Sequence, residues 1–270
     1  MSSFMLVAPL GLCVGIVLGL TGAGGAVLSV PLLTLVIGLP LIEAAPIGLL
    51  AVTVAAGLGA VLALKQGILR YKAAMLMAVA GSMISPLGVW IAHLTPNWLL
   101  TAMFSILLLW IGTSTWLQAC APPGAEVATR EPPCQLNPKT GKFLWTRRCA
   151  RAMAVSGVSA GFISGLLGVG GGFIVIPALR RHTDLPMNSI VATSMGVLTL
   201  VSAVGVIAFL GHAPLNSAVG TPFIAGAVAG MFLGRYFSAR LTGPKLQKSF
   251  ALLCVSVAVA MSLSLARTMI

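Results

Sequence analysis

Charged residues are scarce in this chain. They make up 7% of its 270 residues, whereas an average soluble domain has about 25%. Hydrophobic residues make up 58%, and the mean hydropathy is +1.05. This shortage of charge excludes a soluble globular protein, because no soluble surface could be covered with so little polar area. We therefore predict an integral membrane protein whose main partner is the lipid bilayer.

Acidic residues and histidines are scarcer still, with four Asp or Glu and three His. They form no cluster with metal-ligand spacing, and no nucleophile and base pair at membrane depth. We accordingly predict no metal, no cofactor and no enzymatic activity. The five cysteines are odd in number and include no CxxC motif, so we also predict no disulfide.

The chain contains an internal duplication. A shift of 146 residues places Gly15–Pro31 on Gly161–Pro177 with glycines and prolines in register, which indicates two copies of one unit. A segment rich in proline and charge separates the copies. We assign 1–118 to the first transmembrane repeat, 119–149 to a polar cytoplasmic linker and 150–270 to the second repeat.

Each repeat begins with two short apolar segments around a glycine-rich break: Phe4–Leu20 with Ala26–Ile37, and Ala152–Leu167 with Phe173–Leu179. A membrane span needs about 20 residues, so we expect neither short segment to cross alone and each pair to form a broken or re-entrant helical hairpin. Three longer segments follow in each repeat: Ala44–Leu64, Ala73–Leu94 and Trp98–Leu117, then Met187–Leu210, Ser217–Ser238 and Phe250–Leu265. A hairpin crosses the membrane twice or not at all, so each repeat has an odd number of crossings and the second repeat enters from the opposite face. This predicts an all-α membrane fold of two inverted repeats.

The net charge of +12 could indicate a nucleic-acid partner, but we exclude one because the basic residues flank apolar spans. Alternating the spans places 15 of the 16 Lys and Arg on one face and only Arg267 on the other. The basic residues of the shared face are Lys65, Arg70, Lys72, Arg130, Lys139, Lys142, Arg147, Arg148, Arg151, Arg180, Arg181, Arg235, Arg240, Lys245 and Lys248. The positive-inside rule makes that face cytoplasmic and places both termini outside.

The glycine breaks are the candidate sites. A dinucleotide fingerprint is excluded, because it needs a preceding strand and a parallel sheet. Close helix packing is the alternative, and we favour it for Gly15, Gly19, Gly161 and Gly165. A half-helix that begins after the denser glycines presents unpaired N–H groups, which suit an oxyanion. The candidate binding residues are Thr21, Gly22, Gly24, Gly25, Gly168, Gly170, Gly171, Gly172, Thr193 and Ser194. The hydroxyls among them could instead bond their own helix backbone.

Two motifs carry a family resemblance. The breaks Gly22–Pro31 and Gly168–Pro177, together with Ala192–Ser194 and the duplicated layout, resemble the TauE/SafE sulfite exporter family. The resemblance implies a permease for sulfite, organosulfonates or related small anions in the bacterial cytoplasmic membrane. The chain departs from the pattern in its first repeat, where Ala45–Gly48 has neither hydroxyl of the Thr-Ser pair.

Three functions follow from these observations. The leading hypothesis is export of a small sulfur oxyanion by alternating access around the two breaks. Proton-coupled uptake of a small carboxylate or sulfonate is an alternative that would need Glu43, His93 or His212 as the proton carrier. A membrane assembly or scaffold protein without transport activity is the third possibility.

Overall fold

The computed structural model describes residues 2–22, 24–120, 134, 146–210, 217–238 and 244–269. These residues form ten α-helices, with one π-helical turn, Leu33–Ile37, that extends the second. The helices are α1 Ser2–Thr21, α2 Gly24–Leu32, α3 Leu41–Lys65, α4 Tyr71–Leu94, α5 Asn97–Cys120, α6 Arg147–Leu167, α7 Gly172–His182, α8 Met187–Leu210, α9 Ser217–Ser238 and α10 Pro244–Met269. Seven are long and apolar enough to cross a membrane. The prediction of an all-α integral membrane protein is confirmed.

The first helix of each repeat is longer than predicted. Helix α6 has 21 residues and is one of the seven candidate spans, so the expectation that it is too short to cross is wrong. Its first turn contains Arg147 and Arg148 after the N-cap residue Thr146, whose hydroxyl accepts a hydrogen bond from Cys149 N. Long basic side chains can extend from a span toward water, so the helix continues beyond its apolar stretch.

The second helix of each repeat remains short, as expected. Helix α2 has 9 residues and α7 has 11, lengths of about 14 and 17 Å at 1.5 Å per residue. Each folds back against the helix before it, since Gly25 lies beside Val14 and Leu18 while Gly171 lies beside Ala160. Each repeat therefore opens with a helical hairpin that has one long and one short arm.

Close glycine contacts join each repeat to the other. A Cβ atom built on Gly11, Gly15 or Gly19 of α1 would meet the backbone of Phe223, Ala227 or Met231 of α9, respectively. Likewise, Cβ atoms on Gly157, Gly161 and Gly165 of α6 would meet the backbone of Met77, Gly81 and Ser85 of α4. Residue numbers rise together in both series, so both pairs run parallel. The packing role expected for Gly15, Gly19, Gly161 and Gly165 is confirmed.

The two series of contacts are related by the same 146-residue shift as the sequence. Gly15 meets Ala227, and the shifted partners Gly161 and Gly81 meet each other. The first helix of each repeat thus packs against the fourth helix of the other repeat. Backbones this close leave no room for a side chain at the contact, which is how helices associate tightly in lipid.

The third helices of the two repeats, α3 and α8, pack against each other in the opposite sense. A Cβ atom on Gly59 would lie 2.8 Å from Met195 Sδ, and one on Gly205 would lie 3.2 Å from Leu49 Cδ1. Residue numbers in α3 rise as those in α8 fall, so the pair is antiparallel. Both helices are extensively buried and form the centre of the protein.

Cys134 and Cys149 form a disulfide, so the prediction of no disulfide is wrong for this pair. Cys134 is buried and its backbone N–H donates to the carbonyl of His182 at 3.0 Å. Cys134 of the linker is therefore joined to the start of α6 by the disulfide and to the end of α7 by the hydrogen bond. The odd number of cysteines and their spacing in the sequence cannot reveal such a pair, because it is the α6–α7 hairpin that brings the start of α6 close to the end of α7. The remaining linker residues, 121–133 and 135–145, lie outside the described part of the chain.

Candidate functional site

Both glycine breaks end a helix and start another within five residues. Gly22 has φ +78°, and Gly168, Gly170 and Gly171 have φ between +68° and +76°, a region that glycine enters without steric cost. Gly22 N donates to Leu18 O and Gly168 N to Ser164 O, each at 2.8 Å. These are left-handed C-caps. The helices therefore end at the glycines, as the sequence predicts.

The first break is filled by the chain's own contacts. The Thr21 hydroxyl donates to Val17 O and accepts from Gly24 N, both at 2.8 Å, and so caps the start of α2. A Cβ atom on Gly24 would lie 2.6 Å from the Phe250 ring, and one on Gly25 would lie 2.6 Å from Leu18. Thr21, Gly24 and Gly25 are therefore committed to packing and capping.

Thr193 and Ser194 do not meet at one site. Ser194 Oγ donates to Val191 O at 2.8 Å and lies 3.5 Å from Gly22 O, so it borders the first break. Thr193 Oγ1 donates to Ser189 O at 2.6 Å and accepts from Arg70 N at 3.2 Å, so it holds the turn between α3 and α4. Both hydroxyl hydrogens are used within α8, as the alternative interpretation of these residues expects.

The two breaks lie at different levels along α8. A Cβ atom on Gly22 would lie 2.5 Å from Val191, and one on Gly170 would lie 2.9 Å from Ser202 Oγ. Val191 and Ser202 are eleven residues apart, about 16 Å at 1.5 Å per residue. The ten predicted residues thus divide into three groups: Thr21, Gly22, Gly24, Gly25 and Ser194 at the first break, Gly168, Gly170, Gly171 and Gly172 at the second, and Thr193 apart from both.

Three serines that the sequence did not single out have unused hydroxyls. Ser85, Ser164 and Ser202 are each 0% exposed, and among the described residues their Oγ atoms and Arg70 Nε are the only buried side-chain N or O atoms without a hydrogen-bond partner. Other helix hydroxyls, such as those of Ser105 and Ser156, donate to a carbonyl one turn earlier. An unpaired buried polar group costs about 1–3 kcal/mol, so three of them call for an explanation.

The three serines lie on three helices that pack close to the second break. Ser164 lies in the last turn of α6, where its carbonyl accepts from Gly168 N. Ser202 Oγ lies 2.9 Å from the Cβ position of Gly170, and Ser85 Oγ lies 3.6 Å from that of Gly205, one turn beyond Ser202 in α8. Helices α4, α6 and α8 therefore each bring one unpaired hydroxyl to this region.

The start of α7 adds backbone donors to the same region. Its N-cap residue is Gly171, and no side chain caps the helix. The first N–H groups with backbone acceptors are those of Ile174 and Val175, which both bond Gly171 O. At the position that corresponds to Thr21 in the first repeat stands Leu167, which cannot cap. The N–H groups at the start of α7 thus face a break that has no capping side chain.

The repeats differ in polarity at equivalent positions. The 146-residue shift pairs Ser164 with Leu18, Ser202 with Ala56 and Ser85 with Met231. All three partners are apolar and fully buried. This difference is not apparent from the similarity of the two breaks, although the same shift reveals it.

The ionisable residues considered for proton coupling lie elsewhere. Glu43 is exposed in the first turn of α3. His93 packs its ring on Phe209, with the ring centroids 5.5 Å apart, and its Nδ1 lies 2.9 Å from Val89 O. His212 lies outside the described residues. In the described ranges, no group of three or more His, Cys, Asp or Glu could hold a metal ion.

Comparison with known proteins identifies the family. The profile of the family described as "Sulfite exporter TauE/SafE" matches residues 7–261. A Xylella fastidiosa protein named "Probable membrane transporter protein" is 28% identical over 250 residues, which cover 91% of this chain and 90% of that protein. The Bacillus subtilis "Probable membrane transporter protein YunE" is 27% identical over 247 residues, covering 88% and 90%. No solved structure is significantly similar to this chain.

The family profile spans both repeats, and the relatives match over nearly their whole lengths. The names of these relatives, as membrane transporter proteins, agree with the seven helices that are long and apolar enough to cross a membrane. This chain therefore belongs to the TauE/SafE sulfite exporter family and is a multi-pass membrane transporter.

Proposed function

We propose that this transporter exports a small sulfur oxyanion, sulfite or an organosulfonate, across the bacterial cytoplasmic membrane by alternating access between two inverted repeats. The substrate class comes from the description of the family. The observation that carries the mechanism is the exchanged packing, in which the first helix of each repeat lies against the fourth helix of the other.

The antiparallel pair α3 and α8 supports inversion. These helices occupy the same place in the two repeats. A twofold axis along the membrane normal would keep equivalent helices parallel, whereas an axis in the membrane plane makes them antiparallel. Repeats inverted in this way can rock against each other, and so open a central site to either side in turn.

The polar groups at membrane depth favour an anion. The second break offers hydroxyl and backbone N–H donors, and Glu43, the acidic residue of α3, is exposed in the first turn of its helix. An inside-negative potential drives each negative charge outward by about 2.3 kcal/mol per 100 mV. Export of an anion therefore needs no coupling ion.

Flux measurements in liposomes test the proposed function. Purified protein is reconstituted around labelled sulfite, and a potential of either sign is imposed. We expect protein-dependent efflux that accelerates when the interior is negative, with protein-free liposomes as the control. Flux that instead requires a proton gradient, and is lost in Glu43→Gln or His93→Gln, would identify proton-coupled uptake. The absence of flux for sulfite, methanesulfonate and acetate would leave the scaffold function.

Orientation gives a separate prediction. With the basic face in the cytoplasm, the C-terminus lies in the periplasm. Alkaline phosphatase fused after Ile270 should therefore be active and a fluorescent protein at the same point dark, while fusions after Cys120 should behave in the opposite way. Fluorescence from the fusion after Ile270 would contradict both the orientation and the inverted count of spans.

The disulfide provides a second measure of orientation. Disulfides persist in oxidising compartments and are rare in the cytoplasm, and the proposed orientation puts Cys134 and Cys149 on the cytoplasmic side. We expect both to be thiols in growing cells and to pair once the protein is purified in air. Acid quenching followed by alkylation with a maleimide polymer separates the two states on a gel. A fully oxidised pair in quenched cells would favour the opposite orientation.

A further inference from the structure

We propose that Ser85, Ser164 and Ser202, with the start of α7, form the binding site for a small oxyanion. The proposal rests on the function proposed above and goes beyond it, because it places the site at the second break alone. The three serines that define it are not among the residues to which the glycine motifs point, although the start of α7 is.

The hydroxyls are the first line of argument. A buried helix serine usually donates to the carbonyl three or four residues earlier, as Ser105 and Ser156 do here. Ser85, Ser164 and Ser202 are fully buried and make no such bond. Three unpaired donors on three neighbouring helices are explained if a ligand accepts from them.

The nature of the donors selects the ligand. Hydroxyls and the uncapped N–H groups at the start of α7 are all hydrogen-bond donors, and the helix end adds a partial positive charge of about half an electron. The basic residues of α7 lie in its last turn, at the opposite end. A site of neutral donors holds an anion weakly enough to release it, which transport requires.

The first break lacks each of these features. Its equivalents of the three serines are Leu18, Ala56 and Met231, and its helix start is capped by Thr21. The duplicated scaffold therefore supplies two similar breaks, of which one is closed by the chain and one has unused donors. One anion per protein follows from this difference.

Calorimetric titration of the purified full chain tests the site with sulfite, methanesulfonate, sulfate and chloride as probes. We expect saturable binding of at least one of the three oxyanions. Ser202→Ala and Ser85→Ala should each weaken it by about tenfold to hundredfold, the usual effect of losing a hydrogen bond to a charged group. Ser105→Ala is the matched control, because its hydroxyl already bonds Thr101 O, and should leave the affinity unchanged.

Thermal unfolding without added anion separates a binding role from a structural one. Removing an unpaired buried hydroxyl should leave the unfolding midpoint of Ser202→Ala equal to or above that of the wild type. A lower midpoint would show that the hydroxyl is already satisfied, for example by a buried water, and would overturn the proposal.

Two further outcomes would also overturn the site. They are wild-type affinity in both serine variants, and no saturable binding of any probe to the wild type. Failure of the site differs from failure of the function. Sulfite flux that persists undiminished in Ser85→Ala and Ser202→Ala would rule out the proposed site but not the proposed transport. A wild-type chain without anion flux would rule out the proposed function.

Discussion

Replacement of Gly161 by leucine is expected to leave almost no folded protein. A Cβ atom at this position would collide with the backbone oxygen, Cα and carbonyl carbon of Gly81, and backbone cannot move aside as a flexible side chain can. Overpacking of a core costs about 1–3 kcal/mol even when side chains can adjust, and the whole stability of a domain is about 5–15 kcal/mol. The yield of monodisperse protein in fluorescence-detected size exclusion measures the effect.

Gly220 is the matched control for this substitution. It also lies within a helix, α9, but among the described residues no heavy atom beyond its own helix lies within 4 Å of its Cβ position. Gly220→Leu should therefore elute as the wild type does, and Gly161→Ala should fall between the two. Normal yield from Gly161→Leu would mean that α4 and α6 do not touch, and would remove the exchanged packing on which the alternating-access proposal relies.

The length and hydrophobicity of the apolar segments were enough to locate most of the spans. The predicted Met187–Leu210 and Ser217–Ser238 coincide with α8 and α9, because a membrane span is defined by an apolar run of fixed minimum length. The length of α6 was underestimated because the prediction counted only the apolar run, whereas the basic residues before it are also helical.

Which helices touch could not be predicted from the sequence. The small residues of α1 and α6 indicated close packing, but the partners α9 and α4 lie in the other repeat, and nothing local to a glycine specifies its partner. The disulfide was not predicted for the same reason, because its two cysteines meet only through the hairpin that α6 and α7 form.

The two helix breaks were predicted in position, but the unpaired hydroxyls near the second break were not. The glycines located both breaks, since only glycine enters the left-handed region without cost. The predicted hydroxyls of Thr21, Thr193 and Ser194 are all used within their own helices. The unpaired hydroxyls belong to serines within apolar spans. The 146-residue shift shows that apolar residues take their place in the other repeat, but only the packing of three helices shows that their hydroxyls lack hydrogen-bond partners.

Replacement of Gly171 by alanine is expected to abolish transport while the protein still inserts and remains monodisperse. The residue has φ +68°, and a Cβ atom there would lie 2.5 Å from Ala160 O and 2.9 Å from its carbonyl carbon. The left-handed conformation alone costs about 1–2 kcal/mol for a residue with a side chain, and the contact adds to it. The seven candidate spans are unaltered, so the change falls on the short arm of the α6–α7 hairpin.

Gly38 separates the two causes, because it has φ +80° but no heavy atom from the described part of the chain within 4 Å of its Cβ position. Gly38→Ala therefore introduces the same backbone strain without a collision, and sulfite flux in liposomes should remain within about twofold of the wild type. If both variants lost transport equally, strain alone would be responsible and the seating of α7 against α6 would be irrelevant. Loss in Gly171→Ala alone would show that transport depends on how the start of α7 is held beside Ser164, Gly168 and Gly170, which is where the unused donors lie.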